Sequence, residues 1–277
     1  MKFAEILCVI GMNEFRADLD AVTALCRSAD ARLKLLLLST AMPPAIGGYG
    51  EFLSDDWLAE RQDDVRKLKQ QEDAVRAALA TTDISWAMEG VYTELALAES
   101  EIARQALFAD LTFMGAQAAS HDGLRRHILS GSLYHAPTPV LFAPASSRTL
   151  TLSPAVALAG WSATRESAAA FKQALPALVK ARDVRLTLVD PEVAVEGDEP
   201  GAEAAALLAR HDVRVTVDVV SAMGRSKGEA LLKHAADTEA ELLVMGAYGH
   251  SRLRERLFGG VTEWILDNSP LPVFLAR

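Results

Sequence analysis

The chain has 277 residues, 50% hydrophobic and 23% charged, close to average globular usage. Its formal charge of -9 argues against a nucleic-acid backbone as partner, which calls for a basic face, and is ordinary for a cytosolic protein. No stretch approaches the roughly 20 apolar residues of a membrane span, so no membrane partner is expected.

The first apolar run, Ile6 to Ile10, lies between Glu5 and Glu14; it is too short for a secretory signal and reads as a strand. Cys8 falls in it and Cys26 in the helical stretch that follows. As the only two cysteines, they read as buried free thiols in a cytoplasmic protein. A second strand, LKLLLLS, follows Ala31-Arg32. Residues 42–57, MPPAIGGYGEFLSDDW, form an insertion with the turn chemistry of a long loop, read as surface packing or a lid. A charged helix follows at 58–80, with Glu60, Asp64, Lys67 and Lys69 exposed. Strand-like runs at 109–116 and 137–143 close the first half.

In the second half, 155–159 reads as a strand. Residues 164–180 read as a helix with Ala168, Phe171, Leu175 and Leu178 on one face, kinked or ended by Pro176. Strands are expected at 184–189, 213–220, 242–245 and 273–276, with a helix at 227–238. The six histidines show no HxH or HExxH spacing, so no metal site is expected.

The two halves repeat each other. ADLTFMGA at 109–116 matches AELLVMGA at 240–247, and PTPVLFA at 137–143 matches PLPVFLA at 270–276. The join falls near 145–149, which predicts domains at 1–145 and 150–277. Apolar strands separated by helices indicate parallel sheets covered on both faces, with ligand contacts at the carboxyl ends of the strands. Gly246 stands at such an end.

Beyond it, Gly249 follows after two residues, Gly259 after nine more, and then Gly260-Val261-Thr262. This spacing, the late Pro-x-Pro-Val strand and the GRSKGEALLKHAA stretch resemble the universal stress proteins, whose nucleotide loop reads G-x2-G-x9-G-[ST]. The likeness covers both halves, as in a tandem member of that family. It implies an α/β fold of two repeated five-stranded parallel-sheet sandwich domains, Rossmann-like and of the adenine nucleotide α-hydrolase-like group. It also implies a cytoplasmic stress-response protein that binds ATP or another adenine nucleotide, with or without magnesium. By resemblance, Val189 would face adenine, and Met245, Gly246, Gly249, Gly259, Gly260 and Val261 would line ribose and phosphate. His250 and Arg252 lie on the same loop and would meet phosphate charge or solvent.

Two positions depart from the family pattern. Gly260 stands where a serine or threonine is usual, which removes a hydroxyl donor but keeps the backbone N–H. Ser162 stands where the first strand usually ends in aspartate, and Trp161 beside it reads as core or as an adenine neighbour. The first half departs further: Gly115 is kept, but 116–120 holds no second glycine, and Gly131-Ser132 is out of register. That half reads as a structural partner rather than a second nucleotide site.

No P-loop, no SGGxDS loop and no spaced catalytic set is present, so no catalytic residues are assigned and slow ATP hydrolysis is the most catalysis expected. The alternative reading is an interaction scaffold with a decayed pocket and an unknown protein partner. The matched strands 140–143 and 273–276 are expected to pair within the chain as a pseudo-dimer; a homodimer of whole chains is a further expectation.

Overall fold

The computed structural model describes residues 2–12, 14–41, 55–191, 199–247 and 260–277. The insertion expected at 42–57 lies largely outside them, as do Gly249, His250, Arg252 and Gly259. The chain forms two compact units, Ala4–Ala136 and Pro137–Arg277, the second joined by Met1–Phe3.

The N-terminal unit runs β1 (Glu5–Ile10), α1 (Arg16–Ala29), β2 (Arg32–Ala41), α2 (Asp55–Leu79), β3 (Trp86–Glu94), α3 (Ala98–Ala106), β4 (Leu111–Gly115), α4 (Ala116–Ala119) and α5 (Asp122–Ser130), closing on a π-helical segment, Gly131–His135. Its strands pair in parallel in the order β3-β2-β1-β4. Ile6 to Ile10 and Leu35 to Leu38 are almost wholly buried, as the unbroken apolar runs require of strands covered on both faces. By contrast, β3 is half-exposed along most of its length, which is why its sequence, WAMEGVYTE, lacks that signature.

Cys8 and Cys26 are free and buried. Burial pushes the Cys26 thiol up to about 12, and the Cys8 thiol is also raised well above its ordinary value, chiefly by burial. Both are therefore inert as thiols near neutral pH.

The C-terminal unit contains β5 (Val140–Ala143), β6 (Val156–Gly160), α6 (Arg165–Leu178), β7 (Asp183–Val189), α7 (Ala202–Ala209), β8 (Val215–Val220), α8 (Lys227–Asp237), β9 (Leu242–Gly246), α9 (Gly260–Asn268) and β10 (Val273–Ala276). The order is β5-β10-β9-β6-β7-β8. All these pairs are parallel except β5 with β10, where Val273 faces Phe142 and Leu275 faces Val140. The expected pairing of the two matched strands is thus present. It also explains why β5, the last strand of the first repeat, packs with the second unit.

Helix α6 falls within the expected span, does not end at Pro176, and differs from expectation in its buried face. It continues past Pro176 to Leu178 and is capped at Val179, whose N–H still donates to the Leu175 carbonyl. Its buried face is Ala170, Phe171, Ala174, Ala177 and Leu178, whereas Ala168 and Leu175 are only half-buried. The alanines, which carry little hydrophobic signal, set the contact face by letting the helix approach the sheet closely.

The outer strand β8 is tied to its neighbours by one carboxylate. Arg185 donates two hydrogen bonds of 2.8 Å to Asp218, and His234 Nε2 lies 2.7 Å from the same group. A bidentate guanidinium of this kind fixes orientation as well as charge, so β7, β8 and α8 are held in register.

Candidate functional site

The adjacent parallel strands β9, β6 and β7 bring their carboxyl ends to one edge of the C-terminal unit. Gly160 pairs with both Met245 and Thr187, and Val189 lies two residues further along β7. Helix α9 leads into β10, which is parallel to β9, so its first residue, Gly260, returns to that same edge. The edge therefore collects Ser162, Val189, Met245, Gly246, Gly260 and Val261 from four separate segments. Gly249, His250, Arg252 and Gly259 belong to the stretch between Gly246 and Gly260 and lie outside the described residues.

Val189 and Met245 are buried, at 8% and 6% exposure, and form an apolar floor. Gly260 is exposed, with open space where a Cβ would point, and Val261 beside it is 37% exposed. The next residue, Thr262, is buried and anchors the helix start.

Gly246 has a different role. A Cβ there would sit 2.5 Å from the Ser167 backbone nitrogen and 2.6 Å from the Glu166 carbonyl carbon. The first turn of α6 presses directly on the end of β9, and only glycine leaves room for it. A capping box fixes this turn: Ser167 N–H donates to Thr164 Oγ1, while the Ser167 hydroxyl reaches back to the Thr164 amide. Ser162 is exposed, and its hydroxyl lies 3.2 Å from that of Thr164. At the expected aspartate position, a neutral hydroxyl cluster therefore takes the place of a carboxylate.

Trp161 packs on the buried Phe171 ring, with centroids 5.3 Å apart, so the indole braces α6 against the end of β6. One carboxylate at this edge was not read from the sequence. Asp190, just past β7, takes a left-handed backbone conformation (φ 43°), and its side chain accepts the Ala222 N–H at 3.2 Å. The signal for it was an acidic residue directly after an apolar strand, a position suited to capping a neighbouring turn.

Cations gather near the adjoining strand end. Arg225 and Lys227 are exposed around the start of α8. That helix opens on a second capping box, in which Glu229 accepts the Ser226 amide at 2.7 Å; this bond holds the Glu229 carboxyl below its usual range. Among the described residues, no group of three or more His, Cys, Asp or Glu could hold a metal ion. No described helix is long and apolar enough to cross a membrane.

Residues 156–277 match the profile of the Universal stress protein family. The C-terminal half of this chain belongs to the universal stress protein family. A curated universal stress protein from Synechocystis sp. is 39% identical over 49 residues, which make up 18% of this chain and 17% of that protein. Among solved structures, a universal stress protein from Archaeoglobus fulgidus superposes with a TM-score of 0.70 at 15% identity, covering 100% of this chain and 97% of its own. The whole chain thus shares the fold of that universal stress protein. Another universal stress protein, solved in complex with cAMP, aligns with 45% of this chain and 98% of its own at 18% identity and a TM-score of 0.36.

Proposed function

We propose that the C-terminal half binds an adenine nucleotide, ATP, ADP or AMP, at the carboxyl edge of β9, β6 and β7, with little or no catalysis, in a cytoplasmic stress response. The observation that carries this reading is the convergence of an apolar floor, Val189 and Met245, with the open start of α9 at Gly260. Adenine is flat and apolar enough for such a floor. A helix start presents unpaired N–H groups and the positive end of the helix dipole to phosphate. Family membership of 156–277 supports the same placement. On this reading Gly249, His250, Arg252 and Gly259 complete the phosphate loop, with magnesium carried in by the nucleotide.

A second reading, an interaction scaffold, draws on β8. Val217 and Val219 are 41% and 60% exposed on the outermost strand of this unit, and Met223 beyond it is 81% exposed. Exposed apolar side chains on a strand edge suit a protein partner.

Heat-denaturing the purified chain and identifying released nucleotide by mass spectrometry separates the two, together with thermal melts in millimolar ATP and magnesium. Released adenine nucleotide or a raised melting temperature supports the first reading. Neither result leaves the scaffold. Gly260→Ser places a hydroxyl in open space at the helix start and is expected to tighten ATP binding by about fivefold, the equivalent of one added hydrogen bond. Titration calorimetry on both proteins measures it.

A further inference from the structure

The N-terminal unit carries the same strand-end sequence, Met114-Gly115-Ala116, as Met245-Gly246-Ala247, but a different group occupies the space beside the glycine. A Cβ on Gly115 would lie 2.2 Å from the Asp18 carboxyl carbon, not against helix backbone. That carboxylate is 3% exposed. Its Oδ1 accepts the Gln117 N–H at 3.0 Å and its Oδ2 accepts the Ala118 N–H at 2.8 Å. The clasp is reciprocal, because the Asp18 N–H donates to Gln117 Oε1 at 3.1 Å.

We propose that Asp18 is a built-in anion: its carboxylate takes up the amide pair after β4 and closes the N-terminal unit to phosphate. Two successive amides aimed at one negatively charged group are the chemistry with which a strand-end loop holds an anion. Here both donors are already spent. The remaining hollow, bordered by Gly11, Glu14, His121 and Leu124, has a volume of about 10 Å³, room for about one water. Gln117 Nε2 also reaches Glu14 Oε2 at 3.4 Å, so an incoming phosphate would meet two carboxylates.

Among the described residues the C-terminal unit shows no such clasp. Helices α1 and α6 each have 14 residues, and the third residue is Asp18 in one and Ser167 in the other. The Ser167 hydroxyl is engaged within its own capping box. At this helix position an acidic side chain in one repeat thus stands against a neutral hydroxyl in the other, while the neighbouring buried Glu166 carboxylate meets Arg165. The proposal concerns the N-terminal unit alone and stands whether or not the C-terminal half binds nucleotide.

The test follows the Gln117 and Ala118 amides by NMR in the ¹⁵N-labelled full chain. In the native protein they exchange slowly and do not move when inorganic phosphate or ATP is added. In Asp18→Ser, both amides are expected to exchange at least about tenfold faster, the loss of a charge-assisted hydrogen bond at each, and to shift saturably with phosphate. If Asp18→Ser does not fold, the near-isosteric Asp18→Asn keeps one acceptor, and exchange is expected to quicken at one of the two amides. Native amides that shift with phosphate overturn the proposal. So do variant amides whose exchange is unchanged, or a folded Asp18→Ser with free amides that phosphate does not move.

Discussion

Gly246→Ala is expected to lower the stability of the C-terminal unit by about 3 kcal/mol, the upper end of what an overpacked methyl usually costs. The added Cβ would stand 2.5 Å from a backbone nitrogen and 2.6 Å from a backbone carbon of α6. Backbone cannot rotate away as a side chain can, so the whole first turn of the helix must shift. The capping box at Thr164 and the packing of Phe171 resist that shift. Gly160→Ala on the neighbouring strand is the control. Its Cβ would meet Leu231 and Met245 at 3.7 Å, ordinary contact, and the change is expected to stay within about 0.5 kcal/mol. Urea melts of both variants without nucleotide decide the matter. Equal stabilities would show that the glycine at the end of β9 is not required by packing.

Phe171→Ala is expected to cost more, about 3 to 5 kcal/mol, because a fully buried ring leaves a cavity that the alanine-rich face of α6 cannot refill. It also removes the ring under Trp161. A red-shifted tryptophan emission in the folded variant is the accompanying sign, since the indole would lose its apolar neighbour at the strand end. Circular dichroism melts give the stability and fluorescence reports the site. If binding of ATP weakens with Phe171→Ala while the melt barely moves, Trp161 contributes to the site beyond bracing the helix.

The sequence revealed the fold to the extent that residues were buried on both sides. The apolar runs Ile6 to Ile10 in β1, Leu35 to Leu38 in β2, Leu242 to Met245 in β9 and Val273 to Ala276 in β10 were readable as parallel strands. The half-exposed β3 was not, because Glu89, Gly90 and Thr93 break up its apolar residues and leave no such run. In α6, the face chosen from the larger residues missed Ala170, Ala174 and Ala177, whose contacts come from their small size. At the site, the position of Gly246 could be read from the end of its strand, but its reason could not, since the crowding comes from Glu166 and Ser167, some eighty residues earlier. Asp18 was invisible for the same cause: the amide it holds at Ala118 is 100 residues away. Local pattern identifies strands and turns, whereas a contact that closes a repeat depends on which segments the topology brings together.

The antiparallel pairing of β5 with β10 has a practical consequence for dividing the chain. A fragment cut where the sequence repeat joins, near residue 150, would keep β10 and lose its partner. Val273 to Ala276, all buried in the intact chain, would then present bare N–H and C=O groups on an apolar ribbon, a template for self-association. A fragment beginning at Pro137 carries its own cover for that edge. The unit of sequence duplication and the compact unit of the fold therefore differ by one strand, and sedimentation of the two fragments would compare their self-association.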